Sequence, residues 1–396
     1  MRSRHATVGL VFVLACVFGV AAYAGTGSKQ AKPPVHFELI TFQIPGSDLL
    51  TEFKAGADAA AKIINAKGGF GGRKVVIDTC NSMLQPSVAT TCAHRTLANH
   101  PVAMFGCELA WSAAGLAIYA KAGVPSFNCP NTAADFHNPW SFAIVAGQVG
   151  DLHAGARYLC GRADVKKVVV FVPDLPSMHA LTTPSAGPIL QKCGKPVSSY
   201  IYYPLTATDL TPYVQQVVND KPDFVLFSGI GGQVVEVFKA FQQAGFPASK
   251  VIGPDTDFVY QTILKQAGNT MNGAYSENVH ASWSDASDPD VVTYLKAMKG
   301  TGVDPRDPTV EWGYADVVWF YDAAKLIGFG KFNGRSLAKL MNTKSHVHMP
   351  LSRTLLNPGP KDYPQEKQPY VQISQWKNGK LGVVSKGTNK GWVYAF

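Results

Sequence analysis

Asp174, Ser177 and His179 bring a carboxylate, a hydroxyl and an imidazole into one short loop, the residue types of a nucleophilic relay. Such a relay works only when the imidazole is hydrogen-bonded to both partners, and nothing in this loop sets that geometry. His346 and His348 alternate, so both could share one strand face and hold two corners of a metal site. No third ligand is near in sequence, and the pair reads as surface histidines. Gly328-Phe-Gly-Lys-Phe-Asn-Gly334 resembles a dinucleotide loop, but its last interval is one residue too long. It also follows a helix rather than a strand, so it reads as a helix-ending turn. The chain has no Gly-x-Ser-x-Gly elbow and no His-Glu-x-x-His. No cofactor is expected, and a secreted hydrolase stays the enzyme alternative, needing a His/Asp/Ser grouping assembled by the fold.

Binding asks for different parts. In open α/β sheets ligands sit in the crevice beyond the carboxyl ends of the strands, where helix N-termini offer free N–H groups. The elements that would position such a crevice follow from periodicity. Residues 35–42 alternate as a strand, and Ser47 or Asp48 can cap the helix after it, with Phe53, Ala57, Ala60 and Ile64 at helical spacing. Gly68-Gly69 stops that helix. A strand at 74–78, a helix at 86–99, a strand at 102–106, a helix at 110–122 and a strand at 124–129 continue the alternation. The rhythm restarts after residue 147 with helices at 149–160, 178–191, 210–219 and 234–244. Between them lie strands at 167–172, 199–203, 224–228 and 250–253. Helices at 289–298, 311–327 and 335–342 follow, then a hairpin turning at Asn378-Gly379. The expected class is α/β, with two doubly wound parallel-sheet lobes.

Composition bounds the rest. The first 24 residues have a basic start (Arg2, Arg4), an apolar centre and a small-residue cleavage site at Ala22-Tyr23-Ala24. Cleavage near Ala24 would make the protein secreted, periplasmic or held at the outer face of the cell membrane. Cys16 offers a competing lipoprotein reading. The 396-residue length suits two lobes rather than one core. The expected division is 1–24 signal peptide and 25–34 linker, then 35–146 plus 279–355 as lobe 1 and 147–278 plus 356–396 as lobe 2. A formal net charge of +9 is spread without basic runs, which argues against a nucleic-acid partner. Six cysteines follow the signal, an even count for an oxidising compartment. Cys80 and Cys107 end successive strands and could bridge, and Cys160 and Cys193, on helices flanking one strand, could pair too. Cys92 and Cys129 are then left as buried thiols, although spacing alone does not establish connectivity.

The segments INAKGG, VVIDTC, CELAWSAAGLAIYAKAGVPSFN, PDFVLFSG and VIGPDTD, in this order, resemble the bilobed type I periplasmic binding proteins that serve ABC importers of branched-chain amino acids. The resemblance spans nearly all of the chain after the signal. It implies a multi-strand hinge, a disulfide at Cys80–Cys107, and a monomer that closes on a small ligand without bond chemistry. Delivery would be to permease and ATPase subunits, or closure would signal to a separate receptor.

It also implies the site. The first carboxylate-binding loop falls at 108–112, with Ser112 keeping a hydroxyl and Trp111 serving as a pocket wall or as core. Asn131 and Thr132 mark the second loop as ligand donors or turn caps. Met178 and Ile230 fall where aromatics often close over the ligand, with Gly231 and Gly232 permitting close backbone approach. Asp255, or Asp257, would meet an ammonium or cap a helix. The implied ligand is an apolar or aromatic amino acid, or a related small organic acid or amide.

Overall fold

Buried strands with near-continuous apolar runs nucleate each half of the molecule, as parallel sheets covered on both faces require. The computed structural model describes residues 32–44, 48–109, 111–343, 347–386 and 391–396, apart from the side chain of Ser177. The expected signal peptide with its Ala24 cleavage site, Cys16, Ser47 and His346 therefore lie outside the described residues.

The first half runs β1 (Val35–Thr41), α1 (Leu49–Ala66), β2 (Val75–Asn81), α2 (Pro86–Leu97) and β3 (Ala103–Gly106). It continues with α3 (Trp111–Ala114), α4 (Leu116–Ala122), β4 (Ser126–Asn128) and α5 (Ala133–His137). Its four strands form a parallel sheet in the order β2-β1-β3-β4. The Asp48 side chain caps α1 by accepting from Thr51 N–H at 3.2 Å.

The second half comprises α6 (Gly147–Cys160), β5 (Val168–Pro173), α7 (Pro176–Lys192), β6 (Val197–Tyr203), α8 (Thr211–Asn219) and β7 (Phe224–Phe227). α9 (Gly232–Gln243), β8 (Val251–Pro254), α10 (Asp255–Phe258), α11 (Gln261–Ala267) and β9 (Tyr275–Asn278) follow. Three more helices, α12 (Pro289–Met298), α13 (Pro308–Ile327) and α14 (Gly334–Asn342), precede the closing strands. These are β10 (Tyr370–Lys377), β11 (Lys380–Val383) and β12 (Trp392–Tyr394). The eight-stranded sheet has the order β11-β10-β9-β8-β7-β5-β6, with β12 also on β10; its β10 edge is antiparallel. Asn378 (φ 52°) and Gly379 (φ 75°) both occupy the left-handed region, as a two-residue hairpin turn requires.

α13 returns to the first sheet and packs on α1 with almost no space between the backbones. A Cβ on Gly56 would lie 2.0 Å from the Val310 carbonyl oxygen, and one on Gly313 would lie 2.1 Å from that of Phe53. Beneath them Phe37 stacks on Phe320 with ring centroids 4.5 Å apart.

The chain passes between the halves three times. Ala143 and Glu366 form a parallel bridge, with Lys367 N–H donating to the Ala143 carbonyl at 2.8 Å. Between these two, Val279 follows β9 into the remaining crossing. Among the described residues no helix is long and apolar enough to cross a membrane.

The disulfides correct the expectation. Cys80 pairs with Cys92, Cys107 with Cys129, and Cys160 with Cys193, at Cα separations of 5.7, 4.9 and 5.8 Å. β1 lies between β2 and β3, so Cys80 and Cys107 are two strand spacings apart, about 10 Å, too far for a bridge. Cys107 instead reaches Cys129 at the end of the true neighbour β4, and Cys80 reaches Cys92 on the covering helix α2. Cys92 and Cys129 are thus not free thiols.

Candidate functional site

The carboxyl ends of both sheets face one cleft of about 130 Å³. The first half supplies Phe42, Leu49, Glu52, Leu109, Trp312 and the Cys107–Cys129 bridge. The second half supplies Gln148 and Asp151 from α6, Leu175 and Met178 around the start of α7, and Ser228-Gly229-Ile230-Gly231 after β7. Asp255, Asp257, Tyr260 and Ile263 close it from the segment after β8. Gly147 opens α6 at φ 58°, where a Cβ would collide with the Pro130 ring at 2.5 Å, so the helix can enter the cleft only with glycine there.

The sequence-predicted residues divide. Met178, Ile230 and Asp255 line the cleft. Trp111 does not; it is fully buried behind the sheet, edge-on to Tyr119, with its indole N–H on the Ser126 hydroxyl at 3.1 Å. Gly115 makes this possible, because a Cβ there would fall 2.2 Å from the Trp111 ring. Ser112, Asn131 and Thr132 are brought together, but around Asp135 rather than around open space. Asp135 Oδ2 accepts from Ser112 Oγ at 2.5 Å, Asn131 N–H at 2.9 Å and Thr132 N–H at 2.8 Å. The group caps α5. An internal carboxylate therefore occupies the donors expected for a ligand carboxylate.

The same pattern holds across the cleft. Asp257 Oδ2 accepts from Gly229 N–H at 2.8 Å and Ser228 Oγ at 2.9 Å, and Asp255 Oδ2 accepts from Val279 N–H at 3.1 Å. Burial pushes both carboxyls up to about 7, against these stabilising hydrogen bonds. Burial likewise lifts Glu52 to about 7, although Thr309 donates to its Oε2 at 2.9 Å. Asp151 is raised well above the usual range by burial and by the negative charge of Glu277. The cleft lining contains no Lys, Arg or His among the described residues.

A smaller chamber of about 20 Å³ lies behind the cleft, sharing Gln148, Asp151, Met178 and Ser228 with it and ending on Glu277 of β9. Gln148, Asp151 and Glu52 were not found from sequence. An acid inside α6, whose other positions from Gly147 to Ala156 are almost all buried and mostly small or apolar, was the available signal for Asp151.

The other catalytic candidates lie elsewhere. His179 Nε2 and Asp174 Oδ1 are 2.7 Å apart on an exposed surface, with the imidazole stacked on Tyr202 at 3.7 Å. His348 pairs with Asp290 at 2.6 Å, which raises its pKa. Among the described residues no group of three or more His, Cys, Asp or Glu could hold a metal ion.

The sequence pattern of the periplasmic binding proteins matches residues 39–373. No curated protein matches the chain. Several solved structures share its fold at low identity. An ABC transporter solute-binding protein from R. palustris, in complex with 4-hydroxybenzoate, is 17% identical with a TM-score of 0.76, covering 92% of this chain and 98% of that one. A leucine-binding protein from Thermotoga maritima is 16% identical with a TM-score of 0.74, covering 89% and 98%. A branched-chain amino acid transporter substrate-binding protein from Streptococcus pneumoniae, in complex with isoleucine, is 16% identical with a TM-score of 0.73, covering 89% and 99%.

Proposed function

Since this chain belongs to the periplasmic binding protein family, we propose that it captures a small molecule in the inter-lobe cleft and delivers it to an ABC importer. The observation that carries this reading is the cleft itself. Both sheets point their carboxyl ends into it, both lobes line it, and three chain crossings join them, the arrangement for hinge closure on a ligand. Its walls combine an apolar surface (Met178, Ile230, Leu109, Ile263) with buried acidic groups, which suits a ligand with an apolar body and one polar head.

In this reading 35–146 with 279–355 forms one lobe, and 147–278 with 356–396 the other. Met178, Ile230 and Asp255 contact the ligand directly. Trp111 supports the first sheet, while Ser112, Asn131 and Thr132 hold the loop beside the cleft. The protein acts outside the cytoplasm after cleavage near Ala24, as a monomer meeting permease and ATPase subunits. The R. palustris and S. pneumoniae proteins, with aromatic-acid and amino-acid ligands, support capture of small organic molecules on this fold.

Native mass spectrometry of the protein purified without unfolding tests the reading. A retained small molecule, lost on denaturation and restored on refolding with the extract, is the expected result. Protein that retains nothing and gives no heat with amines, amino acids or aromatic acids would overturn it.

A further inference from the structure

The net charge of +9 is spread along the sequence without basic runs, but it is not spread evenly in space. The parallel strands β1 to β4 all begin at one edge of the first sheet, the pole of that lobe opposite the cleft. The helices α1, α4 and α13 end at the same pole. A Cβ on Gly71, after α1, would lie 2.8 Å from Phe329, after α13, and one on Gly334 would lie 2.7 Å from the carbonyl oxygen of Gly123, after α4. The segments gathered there are 32–35, 66–75, 99–103, 121–126 and 322–336. They hold eight Lys or Arg residues and a single carboxylate, Asp322.

Helix dipoles account for only part of this charge. Lys67, Lys121 and Lys325 sit in or just past the last turns of α1, α4 and α13, where a cation complements the negative helix end. Lys32, Arg73 and Lys74 flank strand starts, and Lys331 lies in a turn. Arg335 occupies the first turn of α14, the helix end that disfavours a cation. All of these but Arg73 are exposed. Among the described residues Lys325 alone of the eight has a carboxylate partner, Asp322 at 2.6 Å. The matching edge of the second sheet is built otherwise, with Arg162 on Asp164 at 2.6 Å and Lys167 on Asp220 at 2.7 Å. In the last turn of α13 stands Leu326, 64% exposed, more than any other large apolar side chain among the described residues. The chain also enters the described structure at this pole, at Lys32, shortly after the apolar run of 8–20.

We infer that this pole rests on an anionic lipid surface, with its lysines and arginines on the phosphate headgroups and Leu326 at the boundary of headgroups and acyl chains. Clustered cations beside an exposed aliphatic side chain are the elements of reversible interfacial binding, in which charge attraction and apolar burial add. A polyanion with no apolar phase, such as a nucleic acid, would use the charge and leave Leu326 in water. Residues 1–31 lead into the same pole, so on the export reading this is the part of the lobe nearest the bilayer at which the leader is cut. The cleft lies at the other end of that lobe, so the contact leaves ligand entry free.

Vesicle co-sedimentation tests this on exported protein whose amino terminus has been read by mass spectrometry. Equimolar phosphatidylglycerol and phosphatidylcholine vesicles are set against phosphatidylcholine alone. Affinity for the anionic vesicles is expected to be at least tenfold higher, and raising the salt to about 0.5 M should abolish the difference. A retained leader or lipid would bind both vesicle types alike, so the difference reports the pole. Lys74→Glu, Lys121→Glu, Lys331→Glu and Arg335→Glu together should remove it. Lys166→Glu, Lys192→Glu, Lys239→Glu and Lys265→Glu, on the second lobe, carry the same net charge and should keep it. All eight side chains are exposed, so both variants should melt near the parent. Leu326→Gln should weaken binding to anionic vesicles at least threefold and leave binding to duplex DNA unchanged. Equal affinity for the two vesicle types would overturn the proposal, as would equal losses in the two charge-reversed variants. Duplex DNA bound more tightly than the anionic vesicles, with Leu326→Gln affecting neither, would assign the pole to polyanions at large and overturn it too. No cleft residue is altered, so none of these outcomes bears on the capture reading.

Discussion

The Tyr260 hydroxyl donates to Thr309 Oγ1 at 2.9 Å, and Thr309 in turn donates to Glu52. Tyr260 precedes α11 on the second lobe, whereas Thr309 begins α13 and Glu52 lies on α1 of the first. Beside them Gln261 N–H donates to Asp307 at 2.8 Å, so the lobes are tied along one rim of the cleft. This polar seam joins the two halves of the molecule through side-chain and backbone donors alone.

Tyr260→Phe removes the first link and leaves the ring in place. A buried hydrogen bond contributes about 1 kcal/mol, so the ratio of closed to open molecules should fall roughly five-fold. Small-angle scattering of the ligand-free variant should show a larger radius of gyration than the parent, and ligand affinity should drop by a similar factor. An unchanged radius would show that the seam does not hold the lobes.

Trp111→Ala should separate core from pocket. The indole is fully buried against Tyr119 and Leu116, and truncations of this kind cost about 3–5 kcal/mol. Chemical denaturation should show a loss of that size. Ligand affinity, measured well below the new midpoint, should stay within two-fold of the parent.

The pH dependence of stability follows from Glu52, Asp255 and Asp257, each held near 7 in the fold mainly by burial. Their unfolded values are about 4, so between pH 4 and 7 the folded state binds more protons than the unfolded chain. Stability from these groups is full below pH 4, falls as pH rises through 7, and then levels off. Ligand-free protein should therefore melt several degrees lower at pH 8 than at pH 5. The triple variant Glu52→Gln, Asp255→Asn, Asp257→Asn should flatten that profile. A cationic ligand should bind more tightly as pH rises through 7, because it prefers the ionised carboxylates.

Peptide mapping under non-reducing conditions should recover Cys80 with Cys92 and Cys107 with Cys129. A Cys80–Cys107 peptide would contradict the strand order. Replacing Cys80 and Cys92 by serine opens a loop spanning 12 residues, and should cost about 3 kcal/mol in denaturation.

Much of this architecture is legible in the sequence. Runs such as Val168-Val-Val-Phe-Val172 declare a buried parallel strand, and Asn378-Gly379 declares its hairpin, because both signals are local. Met178, Ile230 and Asp255 reach the cleft because residues just past parallel strands, or at the start of the next helix, must lie on that sheet edge. The failures are non-local. The strand order that separates Cys80 from Cys107 appears in no local pattern. Trp111 turns inward because Gly115 leaves it a space, and Asp135 takes its donors from α3 and from the turn before α5. Asp151 and Glu277 meet only because α6 crosses β9, over a hundred residues later in the chain.

The Cys107–Cys129 bridge joins the ends of β3 and β4 at the floor of the cleft, and so welds the first lobe's contribution into one covalent unit. Selectivity is then editable from one side. An engineer converting this protein into a biosensor would leave that floor untouched. The library would be confined to residues 228–231 and 255–263, whose side chains can vary without unpicking a cross-link.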